Sequence, residues 1–130
     1  MLVAECAPHR KNVRKAVELD GRRAVCAVNA FLSEEMKPYD RAEGKDYRAR
    51  ERYSVVMENC FRRMDGNLIE EAQKLLRGEY GFLCQYDEEP DFETVWSLVA
   101  DLKKRMIYRA EGDPRKERFI EDERLRLAFP

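Results

Sequence analysis

The 130-residue sequence has few of the side chains on which most enzymes depend. It contains one histidine, His9, three serines and one threonine, so it offers little material for acid–base or nucleophilic catalysis. Its six glycines form no Gly-x-Gly-x-x-Gly or Walker pattern, and no Gly-x-Ser-x-Gly turn is present. The paired glutamates are better explained by helix caps and ion pairs than by hydrolysis. We therefore expect a non-enzymatic protein with no catalytic residue and no cofactor.

The sequence also lacks paired cysteines and long apolar runs. Its four cysteines lie 20, 34 and 24 residues apart, which matches no zinc or redox motif, so we expect no metal ligand. No apolar run approaches the roughly 18 residues of a membrane span, and the first residues lack the basic start of a signal peptide. Scattered thiols without a secretion signal are typical of a reducing compartment. The sequence therefore predicts a cytoplasmic protein that makes no membrane contact.

Charge is abundant but balanced overall. Charged residues make up 39% of the chain, yet the formal net charge is −1. Residues 1–63 carry 14 basic and 10 acidic groups, residues 64–100 carry 2 and 9, and residues 101–130 carry 9 and 7. A general nucleic-acid binder is usually net basic, so this balance argues weakly against that role. The 44% hydrophobic content supports one core, and no linker interrupts the chain, so we expect a single helical domain over 1–130.

Helix-forming residues dominate, and apolar residues recur at helical spacing. We predict helices over 9–37, from Asp46 to Met64, from Asn67 to Gly78, over 87–111, and briefly after Asp113. Asp20-Gly21 is also a hairpin-turn signal, but the flanking residues favour helix. The sequence thus predicts a mainly α fold, a compact bundle of four to six helices. The alternative is α+β, in which segments 1–6, 80–86 and 124–129 form a small sheet.

One side of the helix predicted from Asp46 to Met64 is basic and aromatic. Its candidate partner-binding residues are Tyr47, Arg48, Arg52, Arg62 and Arg63. Arginine and tyrosine fill pockets on protein partners, and they also grip phosphates and stack on bases. Glu51 and Glu58 border the same side and would weaken a phosphate site, and Glu58 can pair with Arg62. A solvated helix face with ion pairs is the simpler interpretation of the same pattern.

A second candidate binding segment is acidic and includes Asp87, Glu88 and Glu89. These carboxylates suit the start of a helix, and they could also dock on a basic partner. The sequence therefore predicts a small helical adaptor, inhibitor or subunit of a larger complex that acts through charged protein–protein contacts. The alternative function is a nucleic-acid-binding helical subunit of a ribonucleoprotein or DNA complex. We expect a protein partner, and the sequence is also compatible with nucleic acid or a homo-oligomer.

Overall fold

The fold was analysed in a computed structural model, which describes residues 1–40, 47–62, 66–84 and 93–125. Within these residues the chain forms two α-helices and seven strands, and the strands pair into three antiparallel sheets. The predicted helical bundle is therefore wrong, and the class agrees with the α+β alternative. The chain divides into two compact units, Met1–Arg63 and Met64–Pro130. The expectation of one domain over 1–130 stays a prediction.

The first unit begins with two hairpins. Strands β1 (Leu2–Ala7) and β2 (Arg10–Lys15) pair from Leu2 opposite Lys15 to Ala7 opposite Arg10. Strands β3 (Val17–Leu19) and β4 (Arg22–Ala24) follow and pair with each other. These hairpins overturn the helix predicted over 9–37.

The turn between β3 and β4 explains this correction. Asp20 and Gly21 both have positive φ, 51° and 74°, as a two-residue type I′ turn requires. The twist of this turn matches that of paired strands, so the Asp-Gly signal outweighs the helix propensity of its neighbours. The Asp20-Gly21 turn signal therefore predicts this region better than its helix propensity does.

Helix α1 (Ala49–Arg62) confirms that the segment predicted from Asp46 to Met64 contains a helix. It begins later than predicted, because Tyr47 and Arg48 have positive φ (48° and 54°) and form a turn. It contacts β4, and the Arg22 guanidinium donates a hydrogen bond of 2.8 Å to the Phe61 carbonyl. That carbonyl belongs to the last turn, where no later amide of the helix can reach it. The Arg22 side chain of β4 thus provides the hydrogen bond that this carbonyl lacks within the helix.

The second unit contains helix α2 (Leu68–Leu76) and a three-stranded sheet. Asn67 caps the helix as predicted, because its side-chain oxygen accepts a 3.2 Å hydrogen bond from the Ile69 amide. The sheet comprises β5 (Trp96–Asp101), β6 (Met106–Glu111) and β7 (Ile120–Glu121), in the order β5–β6–β7. Helix α2 contacts β5, and Leu75 and Val99 are buried. One face of the sheet is therefore covered.

The β5–β6 hairpin overturns the helix predicted over 87–111. Residues 102–105 form its turn, and the Asp101 carboxylate accepts hydrogen bonds of 3.0 Å from the amides of Lys103 and Lys104. The helix expected after Asp113 is also wrong, because a turn and then β7 replace it.

The sheet of the α+β alternative is only partly correct. Segment 1–6 is extended in β1, but it pairs with β2 rather than with the other two predicted segments. Residues 80–84 form no strand, and 123–125 form a short 3₁₀ helix. Residues 85–86 and 126–129 of those segments lie outside the described residues. Among the helices that the structure describes, none has both the length and the apolar character needed to cross a membrane.

Candidate functional site

Two of the arginines predicted to form a binding face lie at the two ends of α1. Arg48 precedes the helix and donates two hydrogen bonds of 2.7 Å to Glu51, and these bonds lower the pKa of the Glu51 carboxyl. Arg62 ends the helix and lies 3.7 Å from Glu58, which confirms the predicted ion pair. At ~1.5 Å per residue, the two arginines are about 20 Å apart along the axis. Each exposed cation therefore already has a neighbouring carboxylate.

The middle of the same helix faces the rest of the first unit. Arg52 is half-buried and donates a 2.9 Å hydrogen bond to the side chain of Asn29. The Tyr53 ring lies 5.9 Å from the Arg14 guanidinium. Tyr47 is half-buried, with a φ of 48°. The predicted binding face is therefore divided between the exposed ends of α1 and a middle part that contacts the first unit.

The other candidate residues, Arg63, Asp87, Glu88 and Glu89, lie outside the described residues. The binding roles assigned to all of these positions stay predictions.

The outer face of the β5–β6–β7 sheet carries apolar side chains from segments that the sequence predicts to be helical. Strand register places Leu98 opposite Arg109, and Arg109 opposite Ile120, on the same side as Trp96. Trp96 is 49% exposed and Ile120 is 65% exposed, although both belong to paired strands. We call this surface, defined by Trp96, Leu98, Arg109 and Ile120, the Trp96 face.

Arg109 holds the centre of the Trp96 face in place. Its guanidinium lies 5.2 Å from the centroid of the Trp96 ring, within the range of a cation–π contact. Its Nη2 atom also donates a 3.1 Å hydrogen bond to a carboxylate oxygen of Glu111. A ring and a guanidinium restrained in this way lose less conformational entropy when a partner binds.

A cavity of about 350 Å³ adjoins the Trp96 face beside β7. Arg124 lines it and donates two hydrogen bonds of 2.8 Å to Asp122, which lower the pKa of that carboxyl. Arg124 also lies 3.8 Å from Glu111. The arginines and carboxylates therefore alternate from Trp96 to Asp122, and each positive charge is next to a negative one.

The first unit contains a buried carboxylate, Glu5, which is 5% exposed. It accepts hydrogen bonds from Arg14 Nε at 2.6 Å, from the amides of Leu32 and Ser33 at 2.9 and 3.1 Å, and from the Ser33 hydroxyl. Burial acts to raise the pKa of Glu5, but these hydrogen bonds together outweigh burial and lower it to about 2. A group so acidic is a weak proton acceptor at neutral pH, so the contacts of Glu5 are those of a structural anion.

The other candidates for chemistry are also poorly placed for it. His9 is exposed in the turn between β1 and β2, and burial raises the pKa of the Cys26 and Cys60 thiols. A raised pKa leaves less of the thiolate, which is the nucleophilic form. All four cysteines are free thiols. The described ranges contain no cluster of three or more metal-ligating side chains.

Comparison with known proteins finds no matching family model, no matching curated protein and no matching solved structure.

The sequence did not predict the Trp96 face because Trp96 lies in the segment predicted to be a helix over 87–111. The residues of β5 do not alternate between apolar and polar: the apolar Trp96 and Leu98 face outward, whereas Ser97 and Val99 are buried.

Proposed function

We propose that this protein is a non-enzymatic binding protein that docks a protein partner on the Trp96 face. The observation that carries the proposal is a half-exposed tryptophan restrained by an arginine on the outer face of an ordered sheet. Tryptophan and arginine are the residues most often found to dominate the binding energy of protein interfaces. The predicted cytoplasmic location and adaptor or subunit role are part of this proposal.

The charge around the Trp96 face favours a protein partner over nucleic acid. Arg109 and Arg124 are each close to carboxylates, so neither offers an uncompensated charge to a phosphate. The second unit, residues 64–130, has 11 basic and 16 acidic residues, a net charge of −5. Nucleic-acid binding depends mainly on cations that neutralise phosphates. An apolar centre with a polar rim is instead the usual anatomy of a protein interface.

Site-specific photo-crosslinking in the cells of the source organism tests this proposal. A benzophenone amino acid replaces Leu98 on the Trp96 face or, as a matched control, the exposed Leu68 at the start of α2. We expect a discrete protein adduct from position 98 that is absent from position 68. No adduct at position 98, or the same adducts from both positions, would contradict the proposal.

Once the crosslinked partner is identified, Arg109→Ala should weaken its binding on the order of 30-fold in Kd. That loss corresponds to about 2 kcal/mol, the threshold that defines a dominant interface residue. Arg118→Ala is the matched control because Arg118 is exposed and lies outside the Trp96 face. Equal affinity of the Arg109 variant and the unmodified protein would refute the central role of this arginine. Crosslinks from position 98 to nucleic acid instead of protein would favour the alternative function, a nucleic-acid-binding subunit.

A further inference from the structure

The β1–β2 hairpin has a second outward surface, distinct from the Trp96 face. Strand register places Leu2 beside Lys15, Ala4 beside Val13 and Cys6 beside Lys11 on one side of the hairpin. All six residues are exposed; Leu2 is 64% and Val13 50% exposed. We call these six residues the hairpin face.

The opposite side of the hairpin fixes its orientation within the first unit. Glu5 and Arg14 point to that side, where Glu5 binds Leu32 and Ser33, and Arg14 donates a 2.8 Å hydrogen bond to the Cys26 carbonyl. Since neighbouring residues of a strand alternate between faces, anchoring Glu5 and Arg14 inward turns Ala4, Val13 and Lys15 outward. The hairpin face is thus exposed because the contacts of Glu5 and Arg14 hold the other side of the hairpin against the first unit.

The hairpin face carries positive charge without a compensating carboxylate. Lys11 and Lys15 form no ion pair among the described residues, and no acidic side chain belongs to the face. They lie four residues apart on β2, about 13 Å at ~3.3 Å per residue, with Val13 between them. Along β2 the outward pattern is therefore cation, apolar, cation.

The strand that carries this pattern also has a free edge. In the described part of the chain β2 pairs only with β1. The backbone amides and carbonyls on its other side can therefore accept another strand, which is the way that sheet-edge binding domains capture extended peptides.

We propose that the edge of β2 binds an extended, acidic segment of a partner protein, with an acidic–x–apolar–x–acidic pattern. A strand added to β2 places alternate side chains beside Lys11, Val13 and Lys15, so its two carboxylates meet the lysines and its apolar residue packs on Val13. An anionic membrane could match the charge, but it could not use the backbone groups of the free edge. This site goes beyond the proposed function, because it lies on the other unit and does not depend on the Trp96 face.

The probe for this site is the fluorescein-labelled peptide Ser-Glu-Thr-Val-Thr-Glu-Ser, titrated into the full chain. Fluorescence anisotropy measures the affinity, and ¹H–¹⁵N spectra locate the contact. We expect saturable binding, with amide shifts concentrated in residues 10–15. Replacing both glutamates of the peptide by glutamine should weaken binding at least tenfold. No shifts in residues 10–15 at millimolar peptide would overturn the proposal.

Charge reversal provides the decisive comparison. The Lys11→Glu/Lys15→Glu variant should bind the acidic peptide with an affinity at least tenfold lower than that of the unmodified protein. It should instead bind a version of the peptide in which lysine replaces each glutamate. The control, Lys103→Glu/Lys104→Glu, makes the same charge change in the exposed β5–β6 turn and should bind like the unmodified protein. Equal losses in both variants would mean that only net charge matters, and would refute a specific site.

Vesicles of phosphatidylcholine with 30% phosphatidylserine test the rival occupant. Binding to these vesicles that requires Lys11 and Lys15, without binding of the peptide, would replace the proposal with a membrane surface. Crosslinking from position 98 reports separately on the Trp96 face, so the failure of one proposal is distinguishable from the failure of the other.

Discussion

Replacing Glu5 with glutamine should remove a large part of the acid sensitivity of the first unit. The four donors around this side chain match a carboxylate, which only accepts hydrogen bonds. Glutamine preserves the shape of the side chain, but its NH₂ group is a hydrogen-bond donor. This group would face the amide of Leu32 or Ser33, which is also a donor. The substitution also leaves Arg14 without its carboxylate partner in a largely buried position.

The size of the effect follows from the pKa of Glu5, which is lowered from an ordinary 4.5 to about 2. Each pH unit of difference corresponds to about 1.4 kcal/mol, so ionised Glu5 stabilises the fold by on the order of 3 kcal/mol. Because the pKa is lower in the folded state, this stability is fully present above pH 4.5 and is lost as the pH falls towards 2. Glu5→Gln should cost about 3 kcal/mol at pH 7 and much less at pH 2.

Urea unfolding followed by far-UV circular dichroism, from pH 7 to pH 2, measures the difference between the two proteins. Comparing them is necessary because other carboxylates, such as Asp113 and Asp122, also have lowered pKa values. The control, Glu18→Gln, removes an exposed carboxylate 3.9 Å from Arg23 and should cost less than about 0.5 kcal/mol. Parallel loss of stability in the unmodified protein and Glu5→Gln below pH 4.5 would refute the reasoning. So would a Glu5 carboxyl that titrates near 4.5 in an NMR experiment.

Two further predictions concern the helix cap and the thiols. Asn67→Ala should lower the unfolding free energy by about 1 kcal/mol, because it removes the side-chain acceptor of the Ile69 amide. Urea unfolding measures this free energy, and an unchanged value would contradict the capping role of Asn67. In the native protein at pH 8, an aromatic disulfide reagent should modify the exposed Cys6 before Cys26 and Cys60, because burial raises the pKa of the latter two thiols. In denaturant, the three thiols should react at similar rates. Equal native rates for the three thiols would contradict the burial of Cys26 and Cys60.

The two helices could be predicted because their signals are local. Helix α2 follows a capping Asn67, and Gly78 lies beyond its end with a positive φ of 77°. Helix α1 has an apolar stripe at regular spacing. Ion pairs four residues apart, such as Glu58 with Arg62, follow from helix geometry alone and were predicted correctly. These features need no information from distant parts of the chain.

The strands were not predicted because a short series of apolar residues can fit both the helical period of 3.6 residues and the strand period of two. Val95, Val99, Leu102 and Met106 recur at helical spacing, yet the hairpin places Val99 inside and leaves Val95 and Leu102 exposed. Strand formation here depends on cross-strand neighbours and on burial, neither of which a single segment reveals. Charged residues with strong helix propensity are abundant in the β1–β2 and β5–β6 hairpins, and they also favoured the helix prediction.

The Trp96 face depends on register, which explains why the sequence did not predict it. Trp96 and Arg109 are 13 residues apart and meet because β5 and β6 pair with Leu98 opposite Arg109. A shift of one residue would move Arg109 to the other side of the sheet. In the same way, Arg52 was placed on a binding face but instead reaches Asn29, 23 residues earlier in the chain. The sequence alone therefore does not show which of these side chains meet in the folded chain.

Both proposed surfaces lie on small antiparallel sheets that leave apolar side chains exposed on one side. In the second unit that side is partly covered, because Ile107, on the same side as Arg109, is buried. In the hairpin, the ion pair of Glu5 and Arg14 occupies the inner side and leaves Leu2 and Val13 outside. In the second unit, Val99 is buried while Trp96 remains half-exposed. Contiguous exposed apolar groups of this kind are characteristic of binding surfaces. A partner that binds only the folded chain stabilises it by RT ln(1 + [L]/Kd), about 2.7 kcal/mol at a hundredfold excess over Kd, so each true partner should raise the Tm of the unit it contacts.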